Sequence, residues 1–180
     1  MKKLIILFIA FTSFGVSAQT TEFNKQFQEL LTKKRAVEYN SRGVDKQHLK
    51  DYYGAVADYT KAISLDPNDA AYYNRGISKD ELKDHDGAIA DYTKAIALDP
   101  NKTYAYLNRG NSKRELKDDY GAIADYTKAL EINPNYINAY SNRGISKENL
   151  EDLNGACIDW RKAAKLGHKN STKWVRDQCN

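Results

Sequence analysis

The tripeptide Asn-Arg-Gly occurs at residues 74–76, 108–110 and 142–144, each copy 34 residues from the last. A fourth copy, Ser41-Arg42-Gly43, lies one residue closer to its neighbour. Twelve residues after each Arg comes a Gly-Ala pair: Gly54-Ala55, Gly87-Ala88, Gly121-Ala122 and Gly155-Ala156. The missing residue falls in the turn after Pro67, where Asn68-Asp69-Ala70-Ala71 stands for the longer Asn101-Lys102-Thr103-Tyr104-Ala105, so repeats one and two are expected to stack slightly differently. A period of this length constrains the fold more than composition can. One unit is too small to bury its own apolar face, so successive units must stack and share a core.

Within each copy, apolar and small residues recur at three and four, the spacing of amphipathic helices. In the third copy Tyr106, Gly110 and Leu116 mark a first helix, and Ala122, Ile123, Tyr126, Ala129 and Leu130 a second. Asp118 or Asp119 is expected to cap the second helix, and Asn133-Pro134 to stop it. Side-chain size suggests the packing. Gly43, Gly76, Gly110 and Gly144 are placed to face Ala55, Ala88, Ala122 and Ala156, bringing the two helix axes close. Large residues then fill the adjoining space: Tyr39, Tyr72, Tyr106 and Tyr140 on the first helices, Tyr59, Tyr92, Tyr126 and Trp160 on the second. A further row of alanines, Ala62, Ala95, Ala129 and Ala163, lets the next repeat dock.

This order of aromatic, Gly, Ala, aromatic, Ala and Pro at period 34 resembles the tetratricopeptide-repeat (TPR) family over residues 36–170. The resemblance implies an all-α fold: an α-solenoid of four helix-turn-helix repeats at 36–68, 69–102, 103–136 and 137–170. A helical extension over 19–35 and a capping helix over 171–180 complete the expected organisation. Residues 22–35 either extend the first helix or form a separate one. Trp174, 34 residues after Tyr140, is expected beside Trp160, with Asn170 or Ser171 starting the cap after Gly167. Two features depart from the family. It usually has Leu before the Gly and an aromatic three residues after it. Here those places hold Arg42, Arg75, Arg109 and Arg143, then Lys46, Lys79, Lys113 and Lys147. Because Asp58, Asp91, Asp125 and Asp159 follow each Arg by sixteen residues, a cross-helix Arg–Asp bridge in every repeat is expected, against four independent surface charges.

The two cysteines, Cys157 and Cys179, fall at similar distances either side of the turn before the cap, which brings them together in antiparallel helices. A disulfide is expected there, against a buried thiol and a free terminal one. Residues 1–18 support an oxidising destination. They combine Lys2 and Lys3, an apolar run from Leu4 to Phe11 continuing through Phe14 and Val16, and the small residues of Val16-Ser17-Ala18. That apolar stretch is shorter than the roughly 20 residues needed to span a bilayer. The expectation is a signal peptide cleaved near Ala18, and a periplasmic or secreted mature chain not inserted in a membrane.

The formal charge of +4 falls to about +2 once Lys2 and Lys3 are gone. The remaining charges interleave, as in Lys113-Arg114-Glu115 and Lys117-Asp118-Asp119, which argues against nucleic acid as partner. His48, His85 and His168 have no ligand spacing, and neither a phosphate loop nor a Gly-x-Ser-x-Gly element occurs. No cofactor, metal or catalytic residue is therefore expected. Asn170-Ser171-Thr172 reads equally as a glycosylation acceptor or a helix cap.

The resemblance implies a concave face formed by the first helix of each pair. Its facing positions are Val37, Asn40, Val44 and Gln47; Tyr73, Ile77, Asp80 and Glu81; Tyr104, Leu107, Asn111 and Arg114; and Asn138, Ser141, Ile145 and Glu148. The family's clamp for chaperone C-terminal carboxylates uses Lys and Asn on this face, and no Lys occupies these positions. The expected function is a monomeric, non-catalytic scaffold binding a peptide or protein segment on a floor of Tyr73, Ile77, Tyr104 and Leu107. On that view Leu107→Glu removes capture and leaves the helices intact. The alternatives are a self-assembling envelope component, or a carbohydrate-binding module using Tyr52, Tyr53, Tyr73, Tyr104 and Tyr136.

Overall fold

The structure, a computed structural model, describes residues 2–179, with side chains from residue 20 onward. The side chains of the expected signal peptide, residues 1–18, and Asn180 of the expected cap lie outside the described residues. Within them the chain forms nine helices and no strand: α1 (Lys2–His48), α2 (Tyr52–Leu65), α3 (Asp69–Glu81), α4 (His85–Leu98), α5 (Thr103–Glu115), α6 (Asp119–Ile132), α7 (Ile137–Asn149), α8 (Leu153–Lys165) and α9 (Lys169–Gln178). Residues 22–35 thus continue the first repeat helix. The helices pair as α1/α2, α3/α4, α5/α6 and α7/α8, each pair packs on the next, and α9 closes the end against α8. This is an α-solenoid. Successive first helices also touch one another directly, and no comparable contact joins the second helices among the described residues. The face built from α1, α3, α5 and α7 is therefore the concave one.

The turns inside the repeats share one chemistry. Lys50, Lys83, Lys117 and Glu151 adopt left-handed backbone at φ 61, 64, 66 and 63°, ending each first helix. The following Asp51, Asp84, Asp118 and Asp152 cap each second helix, accepting from the N–H of Gly54, Gly87, Gly121 and Gly155 at 3.0, 3.0, 2.9 and 2.8 Å. A Cβ on any of these glycines would collide with that carboxylate, which accounts for the Gly of every Gly-Ala pair. Leu116 is the C-cap of α5, not part of it.

Helix packing follows side-chain size. Ala55, Ala88, Ala122 and Ala156 are completely buried, as are Ala62, Ala95, Ala129 and Ala163. A side chain added to a first-helix glycine would meet an aromatic ring first. A Cβ on Gly43, Gly76 or Gly110 would lie 2.7 Å from Cε1 of Tyr59, Tyr92 or Tyr126, and one on Gly144 would strike the Trp160 indole. The glycine makes room for the ring, which is why the second-helix aromatic can be fully buried.

Each second-helix Asp is buried and receives a two-pronged bond from its Arg. Arg42, Arg75, Arg109 and Arg143 donate through Nε at 2.7, 2.8, 2.9 and 2.9 Å to Asp58, Asp91, Asp125 and Asp159. The second prong, through Nη2, measures 2.5, 2.6, 2.6 and 2.7 Å. Lys46, Lys79, Lys113 and Lys147 complete each cluster from 2.9, 2.9, 2.8 and 2.7 Å. Both family departures are thereby explained as one unit, of which the sequence suggested only the Arg–Asp half. Each Arg also lies over the Tyr three residues before it, 4.9–5.7 Å from the ring centroid. In the later repeats it reaches back as well: Arg75, Arg109 and Arg143 donate to Thr60, Thr93 and Thr127 of the preceding repeat.

At the C-terminal end, α9 begins at Lys169, and its cap is His168, whose Nδ1 accepts from Ser171 N–H at 3.2 Å. Asn170 and Ser171, the expected caps, lie inside the helix. Trp174 packs on Trp160 with ring centroids 5.3 Å apart. Cys157 and Cys179 are joined by a disulfide, Cα to Cα 5.6 Å. Closing a loop of this size stabilises by about 3 kcal/mol through lost entropy of the unfolded chain.

Candidate functional site

The inner face has an aromatic end and a charged end, because α3 and α5 carry Tyr73 and Tyr104 near their starts and acids or bases in their last turns. Tyr104 is 62% exposed and meets Tyr136 edge-on at 5.6 Å. Tyr73, half-buried, tilts against Tyr92 at 5.9 Å and has Lys102 Nζ 5.5 Å from its centroid. Lys102 is held there by an ion pair to Asp69, 2.5 Å away. Burial, followed by the neighbouring Tyr104, pushes the Tyr136 hydroxyl above its ordinary range, and burial likewise raises Tyr73. These phenols stay neutral at physiological pH. They offer rings for stacking together with hydroxyls for hydrogen bonds.

Toward the other end, the second-helix tyrosines reach into the inner face. Tyr59 OH donates to Gln47 at 2.9 Å and Tyr92 OH to Asp80 at 2.8 Å. Burial pushes Tyr59 up to about 12. Tyr126 OH turns to Asn111 at 2.8 Å, since Arg114 at the matching place has no acceptor. Asp80 also lies 3.0 Å from His85 Nδ1 and accepts from Ser112 Oγ at 2.9 Å. A hollow of about 210 Å³ opens here, lined by Asp80, Glu81, Lys83, His85, Asn111, Ser112 and Glu115.

The sixteen positions expected on this face divide into three groups. Val37, Glu81, Tyr104, Asn138 and Glu148 are exposed, and Asn40, Val44, Gln47, Tyr73, Ile77, Asp80, Asn111, Arg114 and Ile145 are half-buried. Leu107 and Ser141 are buried, at 7% and 3% exposure. Leu107 belongs to the core around Tyr106, Tyr126 and Leu130, and Ser141 lends its carbonyl to Trp160 Nε1 at 3.3 Å. Leu107→Glu would place a carboxylate in that core and unfold the repeat, so it cannot test binding as the sequence suggested.

Sequence reasoning missed the polar links between first helices. Asn108 Nδ2 donates to Tyr73 OH at 3.2 Å, and Asn142 Nδ2 donates to Asn111 Oδ1 at 2.8 Å. Both belong to the Asn-Arg-Gly tripeptide, whose recurrence was the available signal.

Family profiles described as Tetratricopeptide repeat match residues 46–69, 70–102 and 103–136. No curated protein matches the sequence significantly. Among solved structures, the first TPR of Spaghetti (RPAP3) bound to HSP90 peptide SRMEEVD is 28% identical, with TM-score 0.65, covering 66% of this chain and 95% of that one. The Arabidopsis OM64 TPR domain is also 28% identical, TM-score 0.64, covering 66% and 98%. MamA, at 24% identity and TM-score 0.72 over 76% of this chain and 81% of that one, shares the fold. With profile matches running unbroken over half its length and paired helices stacked in register, the chain belongs to the tetratricopeptide-repeat family.

Proposed function

We propose that this protein is an exported, non-catalytic scaffold whose concave face binds an extended peptide or protein segment. TPR proteins generally mediate protein–protein interactions. The observation that carries the finer reading is the lateral contact of α1, α3, α5 and α7, which lines one face with rings and charges that packing does not consume. Tyr104 is the clearest of these, a large ring left in solvent beside Tyr136. A related TPR domain was solved with a peptide bound, which supports the same use here. Export and cleavage near Ala18 are part of the proposal, supported by the apolar leader and by a disulfide suited to an oxidising compartment. The interleaved charges favour a protein partner over nucleic acid.

The test compares two exposed tyrosines, Tyr104 on the inner face and Tyr120, 77% exposed, at the start of α6. Partners are captured from the envelope fraction, and each capture is repeated with purified components. Tyr104→Glu is expected to lose capture while Tyr120→Glu retains it. Equal behaviour of the two variants removes the inner face as the binding site.

One observation favours self-assembly as a second reading. Phe23, Phe27, Leu30 and Val37 leave α1 with a row of exposed apolar side chains, 47–67% accessible. Light scattering separates the readings, since a monodisperse monomer excludes assembly through that row.

A further inference from the structure

Tyrosines occupy two kinds of place on the first helices. Tyr72, Tyr106 and Tyr140 recur with the repeat and pack into its cores. Tyr73, Tyr104 and Tyr136 do not recur. The places matching Tyr73 hold Asn40, Leu107 and Ser141, those matching Tyr104 hold Val37, Ala70 and Asn138, and those matching Tyr136 include Asn68 and Lys102. Stacking therefore requires none of these three rings, yet the fold gathers them at one end of the inner face.

Tyr73 lies in α3, Tyr104 in the first turn of α5 and Tyr136 at the cap of α7. Tyr104 is exposed and the other two are half-buried, so all three reach solvent. Tyr104 meets Tyr136 edge-on at 5.6 Å, and Asn108, one turn along α5 from Tyr104, donates to the Tyr73 hydroxyl at 3.2 Å. Burial raises the Tyr136 phenol first, and Tyr104 and Tyr73 add to it, which puts the three phenols within electrostatic reach of one another. Among the described residues, the Tyr104 and Tyr136 hydroxyls donate to no group of the protein. The acid at this end, Asp69, is held by Lys102. The surface thus pairs open rings with unused donors. An ordinary extended chain brings an N–H at every residue, whereas proline brings a carbonyl and no N–H.

Spacing points the same way. α3 touches α5 and α5 touches α7, and packed helix axes lie about 8–10 Å apart. A polyproline II helix has three residues per turn and rises about 3.1 Å per residue, so equivalent side chains recur about every 9 Å. Successive turns of such a segment meet successive first helices, and its carbonyls, which have no internal partner, are free to accept from the phenols. Because that conformation is already extended, an open ring surface need not offset the ordering of a flexible chain.

We propose that Tyr73, Tyr104 and Tyr136 form a subsite for a proline-rich stretch, in polyproline II conformation, of the segment bound on the inner face. The subsite rests on the function proposed above and names the chemistry of the partner. Tyr104 and Tyr136 supply ring surface and donate to carbonyls of the stretch, and Tyr73, oriented by Asn108, continues the surface onto α3.

The test is an NMR titration of the full chain, read at the Tyr104 amide and the Asn108 side-chain amide signals. N-acetyl-hexa-L-proline amide is expected to give saturable shifts. Its D-proline mirror image, identical in composition and opposite in hand, and a linear β-linked glucose hexamer are expected to give none. Tyr104→Phe keeps the ring and loses the donor, and should weaken binding about two- to tenfold, as for one hydrogen bond. Tyr104→Ala loses both and should weaken it further, while Tyr120→Ala should bind as the native chain does. The subsite is overturned by absent shifts with L-hexaproline, by equal shifts with its mirror image, by tighter binding of the glucan, or by native binding in Tyr104→Ala. Capture by Tyr104→Glu reports on the inner face separately. Lost capture together with no response to L-hexaproline would keep the inner-face reading and remove the proline one.

Discussion

Two rows of side chains run the length of the solenoid and differ in kind. On the second helices, Asp58, Asp91, Asp125 and Asp159 are the same residue four times, each buried and closed by an Arg and a Lys. On the first helices, Gln47, Asp80, Arg114 and Glu148 occupy equivalent places with four different residues. Each carboxylate of the constant row finds its cations within its own repeat. The variable row makes different partnerships at every step, and at Arg114 and Glu148 leaves charge for the outside. Positions held constant by stacking encode the scaffold, and positions free to vary encode what it binds.

The sharpest way to break this contrast is to remove one acid from the constant row. Asp125→Ala would leave Arg109 and Lys113, whose side chains are 16% and 22% exposed, without their anion. Breaking a buried pair from one side costs about 3–5 kcal/mol, although replacing the whole cluster with apolar residues need not. Glu148→Ala on the variable row should change stability by less than about 0.5 kcal/mol. Urea denaturation of both variants measures the difference, and comparable losses would erase the distinction between the rows.

A smaller effect is expected from the glycines, which are also constant. Gly110→Ala puts a Cβ 2.7 Å from the Tyr126 ring, and overpacking of this kind costs about 1–3 kcal/mol. Double substitution with Tyr126→Leu should recover part of the loss, because the atom being struck is gone. No recovery would mean that the glycine matters for backbone approach and not for the ring.

The constant row was legible in the sequence because a recurrence at fixed spacing survives without coordinates. Arg42 to Asp58 is sixteen residues, as is every later copy. The lysines recur just as strictly, yet spacing alone did not tell that two cations share one carboxylate. Position along a helix fixed which side Leu107 and Ser141 face, but not how deep they lie. That depends on the next repeat, whose Ala139 joins the same cluster as Leu107. Period and size say that something large is near Gly110, and only packing says that it is the ring of Tyr126.

The smallest expected effect concerns the exposed end of the constant row. Arg42 has no preceding repeat to donate to, and its side chain is 53% accessible where its later counterparts are 16–17%. The Arg42 guanidinium, with Lys46 beside it, still holds Asp58 from its ordinary 3.8 down to about 2. A carboxylate lowered on folding stabilises fully above its unfolded value and loses that contribution as pH falls through the folded one. The stability gap between the native chain and Asp58→Asn should therefore be constant above about pH 5 and shrink steadily toward pH 2. It should also be smaller than the gap opened by Asp125→Ala, because water already screens the Arg42 side of the bridge. A gap that stays unchanged at pH 2 would mean that Asp58 contributes through its shape and hydrogen bonds, and that the end of the row is held by something other than its charge.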